Sequence, residues 1–227
     1  MTGMLASVNC LEEAKLVLAE KIDVIDLKAP DRGALGGLPV DLIIEIVKFV
    51  DGRCPISATI GDLPMQPNLI AMAVKEVAST DVDFIKIGFF PDGDAIAVID
   101  ELASITAAHK LIAVLFADAN PDFRLIEALS TTGFSGVMLD TLDKSKGPLT
   151  AAMSISRIGS FVSEVKSNQL ICGLAGSLRM ADIPVLLPFR PTYLGFRGAL
   201  CEQFERTGRL DCRAVQRVKK AIDRYSC

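Results

Sequence analysis

Two lysines and a neighbouring aspartate lie inside short apolar runs, where a charge is costly unless it is paired. Asp26 and Lys28 are two positions apart in one run, and Lys86 lies in another. Burial and a neighbouring positive charge both lower the pKa of a lysine. A neutral lysine can attack a carbonyl carbon and form a Schiff base, while a second lysine transfers protons. The residue types therefore indicate covalent chemistry on a carbonyl substrate, but their spacing does not choose between Lys28 and Lys86.

Other carboxylates follow further apolar runs and could assist such chemistry. Asp140 ends one run, and Asp62 and Asp118 follow two others. A single Asp–Lys pair at a strand end can equally be a structural ion pair. Two inward lysines and several carboxylates converging on one mouth favour a functional site. The only histidine, His109, precedes its apolar run, and we expect it to be a surface or packing residue.

Two glycine-containing segments near the C-terminus are candidates for a phosphate site. Gly176 and Ser177 follow one apolar run, and Gly198 and Ala199 follow the next, directly after Arg197. Small residues let backbone N–H groups approach an anion closely, and an arginine can add a bidentate contact. The alternative is that these glycines only form tight turns. The remaining cationic candidates are Lys144 and Arg32, together with Arg124 and Arg179, which we expect to be solvated surface side chains.

Eight short apolar, β-branched runs alternate with helical patterns along the whole chain. Because each crossover carries a helix, the strands are expected to be parallel. Eight such units in a chain of this length favour a single (β/α)8 TIM barrel, an α/β fold in which residues 1–227 form one domain. The predicted strands are Met4–Val8, Asp23–Lys28, Ile56–Ile60, Phe84–Gly88, Leu111–Ala117, Gly136–Asp140, Leu170–Leu174 and Tyr193–Arg197. The predicted helices lie near 11–21, 40–50, 67–79, 94–108, 122–132, 149–167, 180–187 and 211–225.

In this fold, residues at the C-terminal ends of the strands are the candidates for the site, because TIM-barrel active sites lie at the C-terminal mouth of the strands. Side chains alternate along a strand, so Asp26 and Lys28 are expected inside the barrel, with Ile25 and Leu27 facing the helices. Three prolines within 183–191 predict that the seventh helix is short.

Composition excludes several classes of protein. The 227 residues carry 24 Lys and Arg against 28 Asp and Glu, a formal net charge of −4, and half of them are apolar, which argues against disorder and against nucleic-acid binding. The six cysteines form no C-x-x-C pair and have no histidine nearby, so we expect reduced thiols and no metal site. The chain has no basic, apolar leader and no apolar run long enough to span a membrane, which predicts a cytoplasmic protein. The sequence leaves a homo-oligomer open.

Seven motifs occur in an order that is specific as a set. They are V-I-D-L-K-A-P at 24–30, S-A-T-I-G-D-L-P at 57–64, F-I-K-I-G at 84–88, A-D-A at 117–119, M-L-D-T at 138–141 with Lys144, L-A-G-S at 174–177 and R-G-A at 197–199. On these motifs the chain resembles, over nearly its whole length, the (5-formylfuran-3-yl)methyl phosphate synthases, also called 4-(hydroxymethyl)-2-furancarboxaldehyde phosphate synthases.

The resemblance implies a lyase-type synthase of methanofuran biosynthesis. Such an enzyme converts two molecules of glyceraldehyde 3-phosphate, a triose phosphate, into one furan aldehyde phosphate, with loss of one phosphate and water. Lys28 matches the family's Schiff-base lysine and Lys86 its proton acceptor, while Asp140 and Lys144 match further active-site positions. No metal or organic cofactor is expected, because the imine supplies the electron sink. The candidates for proton transfer during the eliminations are Asp140, Asp26 and Asp118.

Two other functions remain open at this point. Asp26-x-Lys28-x-x-Asp31 is similar to the D-x-K-x-x-D array of the orotidine monophosphate decarboxylase suprafamily, which stabilises a carbanion by charge and forms no imine. That interpretation gives Lys86 no role. The other alternative is a non-catalytic protein that binds phosphorylated metabolites, for which two buried lysines would be an unexplained cost. Borohydride trapping separates the first alternative from a Schiff-base enzyme, and a lowered lysine pKa argues against the second.

Overall fold

Eight parallel strands close into a barrel in the computed structural model, which describes residues 1–225. Each strand pairs with its neighbours in the chain, and β8 pairs with β1, so the predicted (β/α)8 TIM barrel is confirmed. The predicted strand ends agree with the observed ones to within one residue. The strands are β1 Gly3–Val8, β2 Val24–Leu27, β3 Ile56–Thr59, β4 Phe84–Phe89, β5 Leu111–Phe116, β6 Gly136–Asp140, β7 Ile171–Leu174 and β8 Tyr193–Phe196.

Helices follow the strands and form the outer layer. Two features of the helices have local causes. The helix expected over 149–167 is divided, because Met153 is extended and the Ser154 hydroxyl caps a new helix by accepting from the N–H of Arg157. The helix predicted near 180–187 is short, as its prolines predict, and forms only the four-residue helix α8. The helices are α1 Leu11–Ala19, α2 Val40–Val50, α3 Pro67–Ala78, α4 Ala95–Thr106, α5 Leu125–Thr132, α6 Leu149–Ala152, α7 Ile155–Ser167, α8 Ile183–Leu186 and α9 Cys212–Tyr225.

The two faces of each strand serve different layers. Ile25 and Leu27 are fully buried in the apolar core between strands and helices, which confirms the expected alternation along β2. Leu5, Val24 and Met138 belong to a second apolar cluster inside the barrel. Glycines on β6 to β8 make room for these large side chains, since a Cβ at Gly173 would lie 2.4 Å from Cγ of Met138.

An apolar plug covers part of the C-terminal mouth. Leu35 comes from the loop after β2, Phe90 follows β4, and Phe116 ends β5. The rings of Phe90 and Phe116 pack with centroids 4.8 Å apart. Leu35 and Phe116 are each 1% exposed, so this side of the mouth excludes water. The open part of the mouth therefore lies over β6, β7, β8, β1 and β2.

Two expectations from the composition concern membrane-spanning helices and the state of the cysteines. None of the helices within residues 1–225 is long and apolar enough to cross a membrane. The cysteines that the structure describes are free thiols. Cys227 lies outside the described residues.

The outer core predicts a large cost for removing one aromatic side chain. Phe161 on α7 is fully buried and packs against Phe123 with ring centroids 5.3 Å apart. Phe161→Ala should lower the free energy of unfolding by about 3–5 kcal/mol, because it leaves a cavity. Urea denaturation measures the change. Phe204→Ala is the matched control, since Phe204 is 70% exposed and its removal should cost less than about 0.5 kcal/mol. Equal effects of the two substitutions would contradict this packing of the outer core.

Candidate active site

A cavity of about 280 Å³ opens at the C-terminal mouth of the barrel. Its wall is formed by residues of β1, β2, β4, β6 and β8, together with residues that follow β2, β6, β7 and β8. Lys28 and Lys86 both line it, as do Asp26, Asp140 and Lys144. The structure therefore brings the two lysines and two of the expected carboxylates into one chamber.

Lys86 and Asp26 form a buried ion pair. Nζ of Lys86 lies 2.6 Å from Oδ1 of Asp26, and the two side chains are 4% and 1% exposed. The strand register places a serine beside Asp26 on each neighbouring strand, and the hydroxyls of Ser7 and Ser57 each donate to its carboxylate at 2.7 Å. Burial raises the pKa of Asp26, but the charges of Lys86 and Lys28 hold it below the ordinary value. Asp26 is thus a fixed anion that orients Lys86.

The environment of Lys86 favours loss of its proton. Burial lowers its pKa, the charge of Lys28 lowers it further, and Asp26 only partly opposes this effect, so the pKa of Lys86 lies below the ordinary lysine value. A lysine of this kind can act as a base nearer to neutral pH than an exposed lysine can.

Asp140 joins the other two amines. Nζ of Lys28 lies 3.3 Å from its Oδ2, the N–H of Thr141 donates to its Oδ1 at 2.7 Å, and Nζ of Lys144 also contacts Oδ1. Burial raises the pKa of Asp140, yet the charges of Lys144 and Lys28 hold it well below its ordinary range. Burial and the positive charges of Lys28 and Arg206 lower the pKa of Lys144, although Asp140 opposes this. Direct contacts therefore form two groups, Lys86 with Asp26, and Asp140 with both Lys28 and Lys144.

The loops after β7 and β8 expose backbone to the cavity. Gly176 has a φ of 102°, and a Cβ there would lie 2.9 Å from the backbone nitrogen of Thr141, so the turn needs glycine. Ser177 is left-handed, with a φ of 49°. Within the described residues, the N–H groups of Gly176, Ser177, Gly198 and Ala199 have no acceptor. These N–H groups are available to an anion in the cavity, and the phosphate site on them stays a prediction.

Arg197 has a different role from the one expected. All five N–H donors of its guanidinium are used by the protein: two contact the carboxylate of Glu13, and the others donate to the carbonyl oxygens of Ser7, Arg206 and Gly208. Its side chain and that of Glu13 are each 10% exposed. The expected side-chain contact with phosphate therefore has no donor left, and Arg197 instead fixes the loop after β8 to β1 and α1.

Asp118 and Asp62 do not line the cavity. The carboxylate of Asp118 accepts the N–H groups of Leu142 and Asp143 at 2.7 and 2.8 Å, and so holds the loop after β6. Asp62 holds the loop after β2 by accepting the N–H groups of Ala34 and Leu35. A carboxylate directly after a strand can reach the next loop as easily as the cavity, and the sequence does not distinguish the two. The predicted proton-transfer role of Asp118 is not supported by this geometry.

The other sequence candidates lie around the rim or on the surface. Arg32 is exposed and outside the cavity wall, while Arg179 is exposed but lines the wall. Arg124 pairs with Asp122 and is 92% exposed, as expected for a solvated side chain. His109 precedes β5, at the opposite end of the barrel from the cavity. Sequence reasoning missed Arg206, Glu13, Ser7 and Ser57; the serines alone had a signal, since each lies on an inward position of a strand beside β2.

The buried Lys86–Asp26 pair predicts a large loss of stability when its anion is neutralised. Asp26→Asn leaves the buried Lys86 without its counter-ion, and should lower the free energy of unfolding by about 3–5 kcal/mol. The double variant Asp26→Asn/Lys86→Met should recover most of that loss, because no buried charge remains uncompensated. Urea denaturation measures both effects. Asp122→Asn is the control and should leave the unfolding midpoint unchanged, because its partner Arg124 is exposed. A double variant no more stable than Asp26→Asn would contradict this account.

Comparisons with known proteins support the sequence resemblance. A family model described as 4-HFC-P synthase matches residues 4–219. A (5-formylfuran-3-yl)methyl phosphate synthase of Methanocaldococcus jannaschii is 31% identical over 233 residues, which cover 96% of this chain and 98% of the relative. A relative from Methylorubrum extorquens, to which the same name is given provisionally, is 40% identical over 219 residues, covering 96% of this chain and 91% of the relative.

Solved structures share the fold at low sequence identity. Phosphoribosyl anthranilate isomerase from Thermus thermophilus has a TM-score of 0.69 at 11% identity, covering 99% of both chains. A 3-hexulose-6-phosphate synthase has a TM-score of 0.69 at 15% identity, covering 97% of this chain and 100% of that one. These likenesses show the barrel alone. The family model and the sequence relatives span nearly the whole barrel, and the chain belongs to the 4-HFC-P synthase family.

Proposed function

We propose that the protein condenses two molecules of glyceraldehyde 3-phosphate into (5-formylfuran-3-yl)methyl phosphate, a step of methanofuran biosynthesis, through a Schiff base on Lys28. The products balance as one furan phosphate, one inorganic phosphate and two molecules of water. The observation that carries the proposal is the presence of two buried lysines in one cavity, each with a carboxylate partner of its own.

Lys28 is better placed than Lys86 to form the imine. Its Nζ lies 3.3 Å from a carboxylate oxygen, whereas Nζ of Lys86 lies 2.6 Å from Asp26, which is itself fixed by two hydroxyls. Lys28 can therefore leave its partner for a carbonyl carbon at a lower cost. Attack on that carbon and loss of water give the protonated imine, for which Asp140 is the counter-ion.

Lys86 then takes a proton from the carbon next to the imine. The protonated imine acidifies that carbon, and the lowered pKa of Lys86 supplies a neutral amine to accept the proton. The resulting enamine forms the new carbon–carbon bond by attacking the aldehyde carbon of the second triose. Lys144, hydrogen-bonded to Asp140, donates a proton to the aldehyde oxygen as the bond forms. Loss of water and phosphate then yields the aromatic furan, and hydrolysis of the imine releases Lys28.

The charge of the cavity suits anionic substrates. Among the described residues that line it are six cationic side chains and two carboxylates. One of the cations, Arg197, is neutralised by Glu13 outside the lining. The remaining excess of positive charge favours phosphate monoesters, and the N–H groups after β7 and β8 can bind one phosphate.

The charge-relay alternative finds less support in the geometry. It requires Asp31 to join Asp26 and Lys28 in one array. Asp31 is exposed and does not line the cavity, whereas Lys86, which that alternative leaves without a role, is paired with Asp26.

Borohydride trapping tests the proposed imine directly. Reduction in the presence of glyceraldehyde 3-phosphate should add the mass of the triose adduct to the peptide that contains Lys28, and mass spectrometry locates it. Lys28→Ala should abolish trapping and lower turnover on the order of 10⁴-fold. Lys146→Arg is the control, because the Lys146 side chain is 63% exposed, and it should behave as the wild type. An adduct on another lysine, or normal turnover by Lys28→Ala, would overturn the assignment.

The pH dependence of kcat/KM tests the base. If neutral Lys86 accepts the proton, kcat/KM should rise with pH through an apparent pKa below the ordinary lysine value of about 10.4, because burial lowers the pKa of Lys86. Asp26 raises that pKa, so Asp26→Asn should move the rising limb to lower pH, even though the variant is less stable. A limb that moves to higher pH in Asp26→Asn would contradict the role of Lys86. Asp122→Asn should leave the profile unchanged.

A further inference from the structure

Arg206 reaches across the mouth of the cavity from the loop after β8. One Nη2–H donates to the carbonyl oxygen of Gly33, in the loop after β2, at 2.9 Å. The side chain lines the cavity and is half-buried. Among the described residues no acceptor lies within hydrogen-bond distance of its other four N–H donors. A planar guanidinium with free donors in a cavity is suited to a bidentate contact with a phosphate or carboxylate.

Arg206 has no carboxylate in direct contact among the described residues. Burial and the nearby positive charge of Arg197 lower the pKa of Arg206, whereas Asp140, Asp62 and Asp31 oppose them from a distance. The carboxylate of Asp62 is occupied by the N–H groups of Ala34 and Leu35. Asp140 is already shared between Lys28 and Lys144, so it does not neutralise a third cation. Lys144 and Arg206 in turn repel each other across the cavity. Positive charges held together in this way attract an anion of high charge.

The loop that carries Arg206 is anchored at its backbone. Nε of Arg197 donates to the carbonyl oxygen of Arg206 at 2.8 Å, and Nη2 of Arg197 donates to that of Gly208, also at 2.8 Å. Arg197 is itself fixed by Glu13. The position of Arg206 is therefore defined before any ligand binds, which lowers the entropic cost of binding.

The guanidinium of Arg206 lies toward the β2 side of the open mouth, whereas Gly176 and Ser177 follow β7. Strands β8 and β1 separate β7 from β2, and the backbone of Arg206 lies beside Gly198 after β8, from where its side chain crosses β1 to reach Gly33 in the β2 loop. The geometry points to Arg206 as the receptor of a second phosphate monoester, so that the cavity holds two phosphates at once, one on the N–H groups of Gly176, Ser177, Gly198 and Ala199 and the other on Arg206. This inference rests on the proposed use of two triose phosphates.

Calorimetric titration with glycerol 3-phosphate tests the inference without turnover, since this ester has no carbonyl group and forms no imine. The wild type should bind two molecules per chain. Arg206→Gln should bind one molecule with unchanged affinity, and the affinity for the second molecule should fall by about 10- to 100-fold. Arg206→Lys keeps the charge but not the planar fork, and should weaken the same site to a smaller degree. Arg209→Gln is the matched control, because Arg209 is exposed on the same loop and lies outside the cavity wall.

Three results would overturn the inference: a single site in the wild type, two unchanged sites in Arg206→Gln, or loss of both sites in Arg206→Gln, which would show that Arg206 only maintains the loop. Failure of the proposed function is distinguishable. A wild type that binds two molecules of glycerol 3-phosphate through Arg206, but makes no furan phosphate from glyceraldehyde 3-phosphate, would refute the reaction and retain the second anion site.

Discussion

The burial of ammonium groups inside a barrel of apolar strands is the constraint on which the site depends. An unpaired ammonium at that depth would lose its proton or unfold the protein. Two carboxylates pair with three amines: Asp26 contacts Lys86, and Asp140 contacts both Lys28 and Lys144. The arrangement leaves one positive charge in excess and three amines with unequal partners. Unequal partners let chemically identical groups take different roles in one reaction.

The remainder of the barrel maintains this arrangement. Serines on the strands beside β2 fix Asp26, and apolar side chains from the loop after β2, the residue after β4 and the end of β5 keep water from one side of the mouth. The Arg197–Glu13 pair joins the last strand to the first helix and holds the loop that closes the cavity. These contacts lie outside the reacting groups, yet they determine the positions at which those groups meet.

Periodicity alone was sufficient to predict the architecture and the inward direction of Asp26. Asp26 and Lys28 occupy alternate positions of an apolar strand and therefore share one face. Because burying an unpaired charge is costly, they and Lys86 were expected to have partners inside the barrel. The roles of Arg197 and Arg206 were not predictable, because the partner of Arg197 is 184 positions away and Arg206 lies in irregular chain after β8. Asp118 shows the converse limit: a strand-end carboxylate looks the same in sequence whether it faces the substrate or a neighbouring loop. The cap at Ser154 that divides the sixth helical segment is a local signal that helical periodicity concealed.

The apolar plug over β3 to β5 also has a kinetic consequence. With Leu35, Phe90 and Phe116 packed there, reactants and products must all pass through the same half of the opening. In the reaction we propose, a triose held covalently on Lys28 would stand in the route of the second triose, and the furan would have to leave before a new pair could enter. A single entrance would thereby impose an order of binding and release on the proposed reaction, whose two substrates are identical molecules.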